Sequence, residues 1–158
     1  MDIKYINPFI NATIVTMETM LSITPNRLAP FLKNDQNATG DISAIIGFAG
    51  RDISGSVAIC MPFDTSLKVY ELMVGEKVDK VSGDVQDSVG EMINIVAGAA
   101  KQDFYDMDLT FHFSIPLVVV GPEHVISHKS GTMVLVIPFE MGEGMNFSLE
   151  VSVKRERR

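Results

Sequence analysis

The sequence predicts an α+β fold of two layers, in which a mostly antiparallel sheet packs against helices. Apolar residues recur at helical spacing near the start and in the middle of the chain. Alternating or short apolar segments, which are typical of strands, fill the stretches between and after these helices. Glycine-containing turns join successive strand segments, as in antiparallel pairs. Helices segregated from such strands form a second layer over the sheet.

A first helix is expected from the apolar periodicity between Phe9 and Leu21. Asn7 supplies an N-terminal cap, and Pro8 is a favourable first-turn residue. The sequence Thr24-Pro25-Asn26 should end this helix.

The next segments predict strands. Arg27–Leu32 is expected to be a short edge strand, because it contains Pro30. Asp41–Gly50 and Gly55–Met61 are expected to pair with each other, joined by a turn over residues 50–55.

Two helices should follow the paired strands. Pro62 ends the second strand, and a helix is expected from Ser66 to Met73, where Gly75 ends it. The longest helical pattern runs from Asp84 to Gln102.

The last third of the chain predicts three strands. Phe111–Val120 contains Pro116, which indicates a bulge or an edge position. Gly131–Phe139 and Met145–Val153 alternate apolar and polar residues, and residues 140–144 should connect them as a hairpin.

Length and charge limit the possible functions. A chain of 158 residues suits one domain over residues 1–158, and its net charge of −7 would repel a nucleic acid backbone. No segment approaches the roughly 20 apolar residues that span a bilayer, and no signal-peptide pattern follows Met1. We therefore expect a cytoplasmic protein that neither inserts into a membrane nor binds nucleic acid.

Metal and disulfide chemistry are not expected. Cys60 is the only cysteine, so an internal disulfide and a cysteine cluster for zinc are excluded. His124 and His128 have the spacing of a metal-binding pair, but they lie in a loop-like stretch without a nearby third ligand.

The longest predicted helix has two distinct faces. At about 100° per residue, with Asp87 at the origin, Glu91 lies near 40°, Asn94 near −20° and Gly98 near 20°. These four residues therefore share one polar stripe. The opposite face is apolar and consists of Val85, Val89, Met92, Val96 and Ala100.

This stripe is either an ordinary solvated surface or a working site. Asn94 and the glycines Gly90 and Gly98 disfavour a helix, and each glycine costs about 1 kcal/mol relative to alanine. Gly98 leaves a smooth patch that another surface could approach, while Gly90 could instead allow close helix packing. The Asn94 amide can donate and accept hydrogen bonds, so it can orient a water molecule. A carboxylate such as Glu91 can pair with a cation of a partner.

The segment Asp87-x-x-x-Glu91-x-x-Asn94 resembles the active-site motif of the CheC/CheX/FliY family of chemotaxis phosphatases. Five segments resemble CheX proteins in the same order along the chain: Phe9–Ala12, Gly40–Gly47, Gly55–Ile59, Glu91–Lys101 and Ser114–Pro116. CheC proteins carry a second acid/amide pair, but here Leu21 stands three residues after Glu18. The chain is therefore most similar to CheX.

The resemblance implies a CheC-like fold and a hydrolase of two-component signalling. Its substrate would be the aspartyl phosphate of a CheY-like response regulator. Asn94 would orient the attacking water, and Glu91 would dock onto a lysine of the regulator. Asp87 would support docking or helix order, and Gly98 would give the partner clearance.

The resemblance also bears on cofactors and assembly. Mg²⁺ would sit in the receiver domain of the partner, so this chain is expected to need no cofactor of its own. Similarity to CheX further implies a homodimer. Two alternatives stay open: a non-catalytic CheC-like adaptor that binds a signalling partner, and a receiver from a system other than flagellar chemotaxis.

Overall fold

The sheet and helices are present as two layers in the computed structural model, which describes residues 1–35, 38–128 and 131–156. Eight strands in these residues form one antiparallel sheet, and three α-helices lie on one of its faces, so the predicted fold class is confirmed. A short 3₁₀ helix, Ile3–Tyr5, precedes the first α-helix. The α-helices are α1 (Asn7–Leu21), α2 (Phe63–Val74) and α3 (Gly83–Tyr105). The strands are β1 (Asn26–Arg27), β2 (Phe31–Leu32), β3 (Ile42–Gly50), β4 (Ile53–Met61), β5 (Phe111–Phe113), β6 (Leu117–Val120), β7 (Leu135–Glu140) and β8 (Asn146–Arg155).

The strand order is β1-β7-β8-β4-β3-β5, with β2 also on β7 and β6 also on β3. The two edges of the sheet are therefore formed by β1, from the first quarter of the chain, and by β5, from the third quarter. Alternate residues of β3 face the helices and are almost fully buried, because each is 4% exposed or less: Ile42, Ala44, Ile46 and Phe48. This face and the apolar sides of the helices form the main core.

Helix starts differ from the predictions where tertiary contacts supply the cap. Asn7 is the first residue of α1 rather than its cap, and Pro8 occupies the first turn as expected. Helix α2 begins at Phe63, three residues before the predicted Ser66. The Asp41 carboxylate accepts a hydrogen bond from the Phe63 backbone N–H at 3.1 Å, which caps the helix from a distant segment.

The C-terminal end of α3 also lies beyond its predicted position. It continues past Gln102 to Tyr105, because Phe104 is fully buried and packs against the rings of Phe9 and Phe111. The ring centroids lie 5.2 and 5.0 Å apart, respectively. Aromatic packing therefore stabilises a last turn that the local sequence does not predict.

Two predictions for the first strands require correction. The expected strand Arg27–Leu32 is two short strands, β1 and β2, on either side of Pro30. The turn between β3 and β4 covers only residues 51–52, since Gly55 lies inside β4 rather than in a turn. A side chain on Gly55 would collide with the Ser152 backbone and the Phe48 ring, so this glycine allows close strand approach.

The later strands are shorter at their starts than predicted. The predicted strand over 111–120 is interrupted at 114–116, and both of its parts pair with β3 at the sheet edge. This confirms the edge position inferred from Pro116. Strand β7 begins at Leu135 rather than Gly131, and β8 extends to Arg155. Residues 129 and 130, which precede the predicted strand, lie outside the described residues.

Candidate functional site

Helix α3 is held against the sheet by the face that its sequence predicts. The five apolar residues of the predicted face are all fully buried: Val85, Val89, Met92, Val96 and Ala100. At its start, the Ser82 hydroxyl caps the helix by accepting a hydrogen bond from the Val85 N–H at 3.4 Å. The buried face and the capped start therefore hold the long helix in a fixed position, and with it the residues on its outer face.

The outer face of α3 presents the predicted stripe to solvent. Asp87, Glu91, Asn94 and Gly98 are all exposed along successive turns. Within the described residues, no hydrogen bond or ion pair engages the side chains of Asp87, Glu91 or Asn94. The structure thus brings the four predicted site residues together and leaves their polar groups free to contact another molecule.

The two glycines of α3 differ in their surroundings. A Cβ at Gly90 would lie 3.1 Å from the Val118 Cγ2 atom of β6, so Gly90 allows the helix to approach the sheet. A Cβ at Gly98 would meet no other atom within 4 Å. Packing inside the chain therefore explains Gly90, but it does not explain Gly98.

Ser88 follows Asp87 directly in α3 but does not join the stripe. It is buried, and its hydroxyl donates to the Val85 carbonyl oxygen at 2.7 Å. The site therefore offers a carboxylate and an amide rather than a nucleophile.

Another group of charged residues lies on the opposite face of the sheet, and the sequence analysis missed it. Glu150 is fully buried and accepts hydrogen bonds from the Lys33 ammonium at 2.7 and 3.0 Å. The His128 Nε2 atom lies 2.9 Å from the same carboxylate, and its Nδ1 atom lies 2.7 Å from the Ser56 hydroxyl. Burial alone would raise the pKa of Glu150, but hydrogen bonds and positive charge from His128 and Lys33 outweigh it and lower the pKa. Every polar group in this cluster has a partner, which is typical of a structural role.

The two histidines considered as a metal pair have separate partners. His124 contacts the Ser43 hydroxyl through Nε2 at 2.7 Å, whereas His128 contacts Ser56 and Glu150. Across the described ranges, no group of three His, Cys, Asp or Glu residues is arranged to hold a metal ion. Over the same residues, no helix is long and apolar enough to cross a membrane.

Comparisons with known proteins decide the family. A family model described as chemotaxis phosphatase CheX matches residues 42–140, which include the whole of α3. The chain belongs to the CheX family. The resemblance inferred from the α3 motif and the ordered segments is thereby confirmed.

Solved structures support membership of the CheX family along nearly the whole chain. A CheC-like superfamily protein from Shewanella sp. PV-4 is 32% identical with a TM-score of 0.90, covering 98% of this chain and 99% of its own. The chemotaxis protein CheX from Vibrio vulnificus is 31% identical with a TM-score of 0.87, covering 95% of this chain and 99% of its own. A comparison with curated protein sequences found no match.

One similar structure contains a partner. It is the CheX-CheY-BeF₃-Mg²⁺ complex from Borrelia burgdorferi, at 26% identity and a TM-score of 0.81, with 97% of this chain and 99% of that chain covered. The fold of this CheX-family chain is therefore one that has been solved with a CheY bound.

Proposed function

We propose that this chain is a protein aspartyl-phosphate phosphatase that acts on a phosphorylated CheY-like response regulator. The observation that carries the proposal is the stripe on α3 of a CheX-family chain, where the exposed Glu91 and Asn94 side chains have no partner among the described residues. We further propose that the chain acts as a single-domain protein, as a cytoplasmic homodimer with one site on each copy.

Asn94 would act by orienting water. Its amide oxygen accepts a hydrogen bond from a water molecule, and its amide N–H₂ can donate to the same water or to a phosphoryl oxygen. The water oxygen then forms a bond to phosphorus as the bond between phosphorus and the aspartyl oxygen breaks. The products are inorganic phosphate and a free aspartate on the regulator. A fixed water orientation lowers the barrier mainly through positioning.

Glu91 would fix the docking pose. Its carboxylate lies one turn before Asn94 on the same side of the helix, so a cation bound to Glu91 is held within reach of the Asn94 amide. Asp87 adds a second negative charge one turn earlier. Gly98, with open space beyond it, allows the partner backbone to approach the next turn.

The negative charge of the phosphoryl group has to be neutralised by a group other than Asn94, Glu91 and Asp87. The described residues hold no cluster suited to a metal ion, and the chemistry expected of the receiver places Mg²⁺ in the partner. The CheX-CheY complex from Borrelia burgdorferi was solved with BeF₃ and Mg²⁺, which is consistent with this division of roles.

The lifetime of a receiver aspartyl phosphate tests the reaction. We expect radiolabelled CheY-like receivers from the same cell to lose phosphate faster when this chain is added, and chelation of Mg²⁺ to abolish the gain. A receiver that binds the chain but keeps an unchanged phosphoryl lifetime would contradict the phosphatase and identify a non-catalytic adaptor.

A further inference from the structure

The sheet edge beside α3 contains a bulge. The Ser114 N–H donates to the Gly47 carbonyl oxygen at 2.8 Å, and Leu117 lies opposite Ile45. Two residues, Ile115 and Pro116, are therefore opposite the single residue Ile46 of β3. This two-against-one pattern defines a β-bulge, a feature that often redirects a side chain next to a functional site.

Hydrogen bonds to β3 hold the bulge in place, and the bulge exposes the apolar side chain of Ile115. The Ser114 hydroxyl oxygen accepts a hydrogen bond from the Gly47 N–H at 2.9 Å. Pro116 has no N–H, so the interruption leaves no donor unpaired at that residue. Ile115 is 89% exposed, more than any other large apolar residue among the exposed ones of the described chain.

Two contacts fix the position of Ile115 along α3. Gly90 lies against Val118, which pairs with Ala44, and Phe104 lies against Phe111, which pairs with Gly50. From Gly90 to Phe104 the helix rises about 21 Å, and from Ala44 to Gly50 the strand β3 rises about 20 Å. The two elements therefore run side by side. Ile115, opposite Ile46, therefore lies at about the level of residues 94–98.

The direction of α3 places Ile115 on the Asn94 side of the stripe. Gly90, which touches β6, lies about 60° from Asp87 around the helix, in the direction of Asn94 rather than Glu91. The sheet edge consequently borders the stripe next to Asn94, and Glu91 lies on the far side. A surface that covered Asn94 from above would meet Ile115 at its rim.

We propose that Ile115 is a docking contact that inserts into an apolar depression of the phosphorylated receiver, across Asn94 from the cation that Glu91 and Asp87 attract. This inference rests on the proposed function. The partner chemistry follows from the two surfaces. Carboxylates that have no partner in the described part of the chain favour a cation, and a large exposed apolar side chain beside them favours an apolar recess. Two such contacts on opposite sides of Asn94 hold the receiver in its docked position.

Affinity and turnover of an Ile115→Ser variant test this inference. The probe is a CheY-like receiver from the same cell, loaded with BeF₃⁻ and Mg²⁺, and its Kd is measured by fluorescence anisotropy. Loss of an apolar side chain that the bound receiver would cover should raise Kd and KM by about tenfold or more, while kcat stays within about twofold of the parent.

Leu117→Ser is the matched control. Leu117 is also well exposed, at 62%, but it lies on the sheet face opposite α3, because the next residue Val118 contacts Gly90. We expect this variant to bind the receiver with unchanged affinity. An Asn94→Ala variant separates the two claims, since it should lose turnover while it retains the parent Kd.

Several results would overturn the inference. An unchanged Kd for Ile115→Ser, or equal losses for Ile115→Ser and Leu117→Ser, would exclude a specific contact through Ile115. A changed mass of the free Ile115→Ser chain in light scattering, with an unchanged receiver Kd, would assign Ile115 to a contact between copies. If the parent chain binds the receiver but does not dephosphorylate it, only the proposed phosphatase activity is refuted. If it binds no receiver, both the phosphatase activity and the docking contact through Ile115 are refuted.

Discussion

No packing contact among the described residues explains the conformational cost of Gly98 in α3. Its neighbours leave open space around a Cβ, and it lies in the interior of α3. Gly98→Ala should therefore raise the free energy of unfolding by about 0.5–1 kcal/mol, because alanine loses less backbone entropy in a helix. Urea denaturation measures this change, and a lower stability would show that the position is not a free helical surface.

The same substitution tests the clearance assigned to Gly98. If a receiver backbone approaches this turn, Gly98→Ala should weaken receiver binding even as it stabilises the chain. Ala99, also exposed on α3, offers a nearby control through Ala99→Ser, which should leave binding unchanged.

Glu150 is the buried carboxylate to which Lys33 and His128 bind on the other side of the sheet. Glu150→Gln would leave the Lys33 ammonium, with its side chain 5% exposed, without a counter-charge. Breaking one partner of a buried pair costs about 3–5 kcal/mol, so we expect a loss of this order in chemical denaturation. The double variant Lys33→Met/Glu150→Leu should recover part of the loss, because it buries no unpaired charge.

The stability lost in Glu150→Gln should decrease at acidic pH. Since the folded pKa of Glu150 lies below its ordinary value of 4.5, its contribution is present above that value and disappears as pH falls through the folded pKa. The stability difference between the parent and Glu150→Gln should therefore narrow as the solution is acidified below pH 4.5. A difference that grows on acidification would contradict the ion pair.

The Lys33–Glu150 contact also shows what local sequence patterns do not reveal. The two residues are 117 positions apart, and the pairing of β2 with β7 and of β7 with β8 brings their segments together. Asn94 and Glu91, by contrast, are three positions apart on one helix, so helical geometry alone places them on one side. Residues of the stripe could therefore be grouped from sequence, whereas the cluster around Glu150 could not.

At the scale of elements, the interior of each helix followed from periodicity, but several ends depended on tertiary contacts. The start of α2 is capped by Asp41, and the last turn of α3 is held by aromatic packing around Phe104. The start of α3 is different, because its Ser82 cap is local.

Ser82 allows a direct test of that local cap. Ser82→Ala should lower the free energy of unfolding by about 1 kcal/mol, because the Val85 N–H loses its acceptor. Ser82→Asp, which restores an acceptor and adds favourable charge at the helix start, should retain or exceed the parent stability. Equal thermal midpoints for the parent and Ser82→Ala would show that water replaces the cap at no cost.

At the scale of the whole molecule, Cys60 reports on opening of the fold. It is fully buried on β4, and burial followed by the nearby negative charge of Glu150 raises the pKa of its thiol to about 11. We expect negligible alkylation of the native chain at neutral pH and rapid alkylation in denaturant, because only an exposed thiolate reacts quickly. Fast labelling of the native chain would indicate that the outer face of the sheet opens readily.

The overall architecture was predictable because its signals are distributed over the chain. Ordered segments from Phe9 to Pro116 resemble one family, and the match to CheX over residues 42–140 confirms that family. The contribution of Ile115 was not predictable, since it depends on a bulge and on the alignment of α3 with β3. The proposed function therefore combines a local helical motif with a surface created by the fold.

The catalytic rate of an Asn94→Ala variant at saturating receiver concentration tests the central claim most directly. If Asn94 orients the attacking water, kcat should fall by at least about 100-fold while receiver Kd changes little, because the amide acts on water rather than on docking. Glu91→Ala should instead raise KM, if its carboxylate holds the partner as proposed. An Asn94→Ala variant that dephosphorylates the receiver at the parent rate would contradict the water-orienting role.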